Sequence, residues 1–281
     1  MSRLLRTTAA LAVSLLMTGA ARAQVAVGVE LARDRATWHF DAPSSYDTSE
    51  LVPHFFEQQY VLDNVWLTVA ADYRAGVDWR TSVQATPTRQ ALATDYDTFF
   101  DPGNVVWVAG TTGDARMHSL RVSQEVELGR RGWVAFSGGY RLRLDVADFL
   151  DGNRTDTRNG QLVSRSLVTT REHTNAQTHE VFIRATATRA LGRQWALRLV
   201  GDAAPLSVNR LAIQLPDKYP GQTLVYRTAN MMTAGRVELA RHGRRWTTSV
   251  GAGGARSWNY HADQWVTRNG LSAGVGIGRA W

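Results

Sequence analysis

The chain of 281 residues has no cysteine and a single lysine, Lys218, and beyond its first residues no apolar run long enough to cross a bilayer as a helix. Without thiols there is neither a disulfide framework nor a thiolate metal site. A span would need ~20 apolar residues, and helical periodicity is scarce throughout. The basic charge is carried by arginine. The net charge of +7 falls to +4 once Arg3, Arg6 and Arg22 are set aside, and what remains is scattered among carboxylates. That is no nucleic-acid footprint, and no KH, RRM or zinc-finger spacing is present. Equally missing are a G-x-S-x-G elbow, a Walker loop and any close pair of metal-ligating histidines, so the sequence calls for no cofactor and no metal. "DFLDGNRTDTRNG" (148–160) does not match the EF-hand ligand spacing and reads as turn. "GAGG" (251–254) precedes no helix, which argues against a phosphate loop. With 44% hydrophobic and 20% charged residues, the chain is nonetheless composed to fold.

The first residues address the compartment. Arg3 and Arg6 precede an apolar run from Ala9 to Met17 and an Ala21-Arg22-Ala23 end, the pattern of a secretory signal peptide. The expectation is a leader over 1–23, cleaved after Ala23 to leave Gln24 first, and one barrel domain over 24–281.

What is abundant is alternation. In "VWLTVAADYRAGVDW", Val65, Leu67, Val69, Ala71, Tyr73, Ala75, Val77 and Trp79 share one parity; in "WVAFSGGYRLRLDV", Val134, Phe136, Tyr140, Leu142, Leu144 and Val146 do; in "EVFIRATATRAL", Val181, Ile183, Ala185 and Ala187 do. Period two means extended strands with one apolar and one polar face. Their length exceeds the usual ~5–6 residues and suits a membrane barrel. Short links, "VELGRRGW", "RALGRQW", "VELARHGRRW" and a looser "YVLDNVW" (60–66), alternate with longer connections at 41–50, 80–115, 150–174, 216–222 and 261–264. The reading is ten strands, near 25–38, 51–61, 65–79, 116–128, 132–149, 176–191, 194–215, 223–240, 246–260 and 265–281. Twelve result if "NVVWVAG" (104–110) opens a further hairpin. Tryptophans mark two rims: Trp133, Trp195, Trp246 and Trp281 at the short turns, and Trp38, Trp79, Trp258 and Trp265 at the other strand ends. Trp38, Trp79, Trp195, Trp246, Trp265 and Trp281 are therefore the expected membrane-interface aromatics. Trp66 and Trp133 carry the parity of the polar face and are expected inside unless a bulge resets the register.

The chain ends "GLSAGVGIGRAW". Leu271, Ala273, Val275 and Ile277 alternate with small residues before Trp281. In this it resembles bacterial outer-membrane β-barrel proteins, which commonly finish on such a strand with a terminal aromatic. Arg279 departs from that pattern, and Trp stands where Phe is commoner. The resemblance implies a transmembrane antiparallel up-and-down β-barrel in the outer membrane. Its implied partners are outer-membrane lipid and, through the last strand, the barrel-assembly machinery, with an unknown extracellular ligand and no nucleic acid. Ten strands and this length also resemble the omptins, outer-membrane proteases whose site joins an Asp-x-Asp pair to an Asp-x-His pair. Asp95-Tyr96-Asp97 matches the first. His261-Ala262-Asp263 is the nearest counterpart of the second, in reversed order. Such groups could together position and deprotonate a water.

The polar faces supply the other candidates. Glu30, Asp34 and Glu57 are expected to point inward, together with Asp72, Arg74, Asp78, Arg121, Glu125, Glu127, Arg141, Arg143, Asp145, Glu180, Arg184, Arg198 and Asp202 as a lumen charge network. The expected partners are Asp72 with Arg74, Arg141 and Arg143 with Asp145, and Arg198 with Asp202. Gly270, Gly274, Gly276 and Gly278 are expected to leave one inner wall bare. Eight strands already enclose only side chains, and water-filled pores come at ~16. The functional expectation is thus a non-enzymatic outer-membrane barrel, a scaffold or binder or a narrow pore, with its loops as the interaction surface. The alternatives are an omptin-like protease, a small-solute channel, and a secreted β-sandwich or lipocalin-like binder.

Overall fold

The computed structural model describes residues 24–45, 51–75, 77–86, 89–100, 106–168, 171–217, 220–260 and 265–280. They form twelve strand segments: β1 (Gln24–Ser45), β2 (Leu51–Ala75), β3 (Val77–Ala85), β4 (Arg89–Phe100), β5 (Val106–Arg131), β6 (Val134–Arg158), β7 (Gln161–Val168), β8 (Glu172–Ala190), β9 (Trp195–Gln214), β10 (Leu224–His242), β11 (Trp246–Asn259) and β12 (Trp265–Ala280). Both β3 and β4 lie between β2 and β5. They are the lower and upper halves of one barrel strand. On β6, β8 pairs along the lower part and β7 along the upper, a second divided strand. Every pairing is antiparallel, and β1 pairs with both β2 and β12. The result is a closed barrel of ten strands. A line of register partners leaving β1 at Gln24 passes Asp72, Arg80, Glu125 and Gly139 and returns near Ala36, about twelve residues further along. Such a stagger accompanies a strand tilt of roughly 40°.

The expected count of ten holds, but two assignments within it change. "YVLDNVW" is not a turn. Residues 60–66 run mid-strand in β2, with Asp63 and Asn64 in register with Arg33 and Ala32. The 80–115 connection is not a loop either: among the described residues it holds most of β3, all of β4 and the upper part of β5, to which residues 106–110 of "NVVWVAG" belong. One strand split in two had offset one strand missed. The 150–174 connection likewise contains the β6–β7 hairpin. It turns through Asn159 and Gly160 at φ 50° and 80°, the left-handed pair that a two-residue type I′ turn requires.

Each long strand is amphipathic twice, in opposite senses. On β1 the outward residues Val27, Val29 and Leu31 are exposed, and the next outward positions are Arg33 and Arg35. Inward, Gly28, Glu30 and Asp34 give way to Ala36, Trp38 and Phe40, all three buried. β12 repeats this: Ile277, Val275 and Leu271 outside are followed by Asn269, while inside Arg268 is followed by buried Val266. On β6, inward Arg141, Arg143 and Asp145 are followed by Ala147 and Phe149. β9 shifts its inward parity at the bulge near Ala204 and Pro205, then runs inward from Ser207 and Asn209 to Leu211 and Ile213. Apolar-out, polar-in is the solution for a wall in lipid. Polar-out, apolar-in is the solution for a barrel in water. The strands therefore leave the bilayer partway up and continue as a water-exposed barrel. Its interior is a packed cluster of Trp38, Phe40, Met117, Phe149, Leu211, Ile213 and Val266, with the Phe40 and Tyr226 rings 4.6 Å apart.

Candidate functional site

The lumen is filled in three tiers, taken from the rim of the short turns upward. In the lowest, Arg236 reaches Glu30 at 2.7 Å, Arg198 meets Glu238 at 3.4 Å, and Arg80 meets Asp72 at 3.5 Å. The Arg236–Glu30 bridge crosses the wall formed by β11 and β12, where Gly251, Gly253 and Gly274 face inward. A Cβ at Gly251 would sit 3.1 Å from the Arg236 Nε, and one at Gly274 would sit 3.1 Å from the Glu30 Cβ. The glycine wall is thus not bare, as expected from the sequence, but covered by this bridge. Small residues were needed because the two side chains lie flat on it.

Above them Arg141 donates to Glu180 at 3.1 Å and to Asp202 at 3.0 Å. Arg184 donates to the same Asp202 oxygen at 2.9 Å and also to Glu125. Phe182 lies beneath both guanidiniums, at 4.6 and 5.1 Å. Arg121 and Arg143, direct cross-strand neighbours, share the Trp66 ring at 4.7 and 5.4 Å. An aromatic face is what lets two like charges stand so close.

At the top of the charged region Asp145, 3% exposed, accepts from Arg143 Nε at 2.9 Å, Arg268 Nη2 at 2.8 Å and Ser119 Oγ at 2.5 Å. A ring of neutral hydrogen bonds follows: Thr178 Oγ1 donates to Asn209 Oδ1 at 2.9 Å, Asn209 Nδ2 to Asn230 Oδ1 at 3.0 Å, and Asn230 Nδ2 to the Val266 carbonyl at 2.9 Å. The apolar cluster lies on this ring. Mutually neutralised charges under a packed apolar cluster brace the wall across the lumen.

The sequence candidates fall as follows. Arg121, Glu125, Arg141, Arg143, Asp145, Glu180, Arg184, Arg198 and Asp202 lie in the lumen network. Arg143 pairs with Asp145 as expected, whereas Arg141 pairs with Glu180 and Asp202, and Arg198 with Glu238; Asp72 meets Arg80 across β2–β3. For Arg141 and Arg198 nearest-in-strand reasoning failed because in a tilted barrel the cross-strand and across-lumen neighbours are equally close. Glu127 pairs with Arg130 at the short-turn rim at 3.2 Å, and Asp78 is exposed there. The Arg74 side chain lies outside the described residues. Among the aromatics, Trp195 and Trp246 face outward at the short-turn rim. Trp79 does too, two positions after that turn, on the rim opposite to the expected one. Trp265 stacks on His39 at 4.9 Å at the other end. Trp38 is a correction: at 1% exposure it is inside the upper barrel, not at the interface. Its parity on β1 matches Glu30 and Asp34, and the inversion of the faces puts an aromatic there. Trp66 points inward as its parity requires, and Trp133 is exposed in the turn. Trp281, the leader with Ala21 and Ala23, His261 and Asp263 lie outside the described residues, and Gln24 opens β1. Asp95 and Asp97 lie not in a loop but on β4, in register with Gln58 and Phe56; their side chains are not among those described. Glu30 faces inward as expected, while sequence reasoning missed Arg80, Arg236, Glu238, Arg268 and the asparagine ring. Inward parity on their strands could have flagged them. Among the described residues no group of three or more His, Asp or Glu converges as a metal site.

At the rim of the long connections Arg171 clamps Asp217, with Nη2 at 2.8 Å and the backbone N–H at 2.9 Å. Those bonds hold the Asp217 carboxyl at about 2.

No protein-family model matches the chain, and no curated protein matches it in sequence. Among solved structures, the outer membrane protease OmpT of Escherichia coli superposes with a TM-score of 0.68 at 8% identity, over 93% of this chain and 97% of that one. This chain has the outer-membrane β-barrel fold. The translocator domain of the autotransporter NalP of Neisseria meningitidis (TM-score 0.39, 10% identity, 99% and 95% covered) and OprG of Pseudomonas aeruginosa (0.32, 8%, 93% and 96%) are also similar. An outer-membrane barrel of this kind, closed and girdled by exposed apolar side chains, is located in a bacterial outer membrane.

Proposed function

We propose that this outer-membrane barrel is a non-conducting, non-enzymatic scaffold that acts through the rim of its long connections, which faces the cell exterior. The observation that supports the reading is the succession across the lumen of charged tiers, asparagine ring and apolar cluster. On this reading solute has no axial path, and what is left to present to a partner is the barrel that stands above the lipid belt. Rims and loops on a rigid scaffold are the usual seat of recognition. Proteoliposome swelling tests it: vesicles carrying the purified barrel should shrink in arabinose or sucrose and stay shrunken, and recovery at porin-like rates would reject the reading.

One observation supports a second reading, a protease acting at that rim: the shared fold with OmpT together with Asp95 and Asp97 on the upper strand β4. Fluorogenic peptides decide it. Cleavage by the parent that is lost in Asp95→Asn would favour the enzyme.

A further inference from the structure

A closed barrel abolishes strand edges, which is how such folds avoid pairing with other chains. Here, among the described residues, the closure is incomplete above the membrane. β8 pairs with β6 and β9, but its upward continuation β7 pairs only with β6. Strand β9 stops at Gln214, in register with His173. Among the described residues nothing pairs with the other edge of β7, and Gln161 to Leu167 are all exposed. The hairpin closes tightly on Arg158 and Gln161. The alternation of an antiparallel pair, reset by the bulge at Val163, then turns the N–H and C=O of Leu162, Arg165 and Leu167 away from β6. Their side chains share the outward face with Thr155 and Thr157, which line a shallow groove of about 250 Å³ with Val108, Gly110 and Thr112.

We propose that the free edge of β7 is a docking strand for an extended acidic peptide segment, which adds to the sheet by backbone hydrogen bonds. This deepens the binding role proposed above. It rests on that reading only for the side of the membrane the edge faces. The charge around the edge selects the occupant. The neighbouring carboxylates are engaged: Asp156 by Arg154 at 2.7 Å and by Ser164 at 2.7 Å, and Asp217 by Arg171. Arg165 has no carboxylate within 4.0 Å among the described residues and sits between the exposed Leu162 and Leu167. A carboxylate flanked by apolar residues on an incoming strand matches that row. A second copy of the chain does not: with the edge groups of Leu162, Arg165 and Leu167 paired antiparallel, Leu162 stands opposite its partner's Leu167 and the two Arg165 side chains stand directly opposite each other, where like charges oppose pairing.

The test uses the full chain in detergent and two fluorescein-labelled nine-residue peptides, one alternating valine with glutamate and one alternating valine with lysine. Fluorescence anisotropy should show saturable binding of the glutamate peptide, at least ten-fold tighter than the lysine peptide. Arg165→Glu should reverse the preference. Leu167→Pro, which removes one edge N–H at a position that tolerates proline, should weaken binding at least ten-fold while the folded band on an unheated gel stays unchanged. Equal affinity for the two peptides, or undiminished binding by Leu167→Pro, overturns the proposal. So does a concentration-dependent dimer in sedimentation that Leu167→Pro abolishes, which would make a second copy the occupant. Peptide binding and solute flux are separate readouts, so a conducting barrel would reject the scaffold reading while leaving the edge to stand or fall alone.

Discussion

Replacing Asp145 with alanine should be among the most damaging single changes in the barrel. Asp145 is the carboxylate on which two buried arginines converge, Arg143 at 2.9 Å and Arg268 at 2.8 Å, with Ser119 donating a third bond. In Asp145→Ala, Arg143 keeps only Asp34 at 3.8 Å as an ionic partner, and Arg268 keeps Thr178 at 3.4 Å. Leaving a buried charge without its partner costs about 3–5 kcal/mol. For a chain of this size that is a fall of roughly 6–20 °C in the unfolding midpoint, read as the temperature at which the folded band disappears from a gel. The attribution to charge has its own control. The triple change Arg143→Met, Asp145→Leu, Arg268→Met removes the whole charged set at similar volume, and a buried ion cluster replaced in full by apolar residues is often tolerated. The triple variant should therefore be more stable than Asp145→Ala alone. A single change worth under about 1 kcal/mol, or a triple variant less stable than the single one, would refute the reasoning.

Other outcomes follow from particular contacts. Val29→Arg, in the outward belt of β1, should cost about 2–4 kcal/mol of folding stability in lipid vesicles, whereas Asn269→Arg, exposed on β12 above the switch, should cost under about 1; equal costs would remove the boundary placed between Leu31 and Arg33 and between Leu271 and Asn269. A Cβ at Gly139 would collide with the Gln124 carbonyl and lie 2.9 Å from Phe182, so Gly139→Ala should lower assembled yield through overpacking of about 1–3 kcal/mol, while Gly201→Ala, with nothing within 4 Å, should assemble like the parent. Asp217, held at about 2 by Arg171, lies below its unfolded value of ~3.9, so the clamp contributes above pH ~4 and is lost as pH falls through about 2; a carboxyl-carbon titration with a midpoint at or above 4 would contradict the clamp.

The lower half of this barrel is legible in the sequence because lipid imposes one rule: Val27, Val29 and Leu31, or Val275 and Ile277, must alternate with something small or polar. The upper half is not. Above Leu31 the rule reverses, and polar residues within a strand no longer signal a turn, which is why "LDN" read as a break inside β2. The same reversal hid β4 inside an expected loop and put Trp38 in the wrong place, since inward aromatics on a strand whose inward face begins with Glu30 and Asp34 have no precedent in simple alternation. The charged residues of the lumen could be named from parity. Their partners could not, because Arg236 and Glu30 are far apart in sequence and meet only once the barrel closes.

The sealed lumen is the claim on which the functional reading rests, and planar-bilayer recording of the purified barrel tests it most directly. The tiers from Arg236–Glu30 to the Phe40 cluster predict a baseline without discrete steps at potentials that open ordinary porins. Stable, reproducible steps of porin-like size from the parent protein would contradict it.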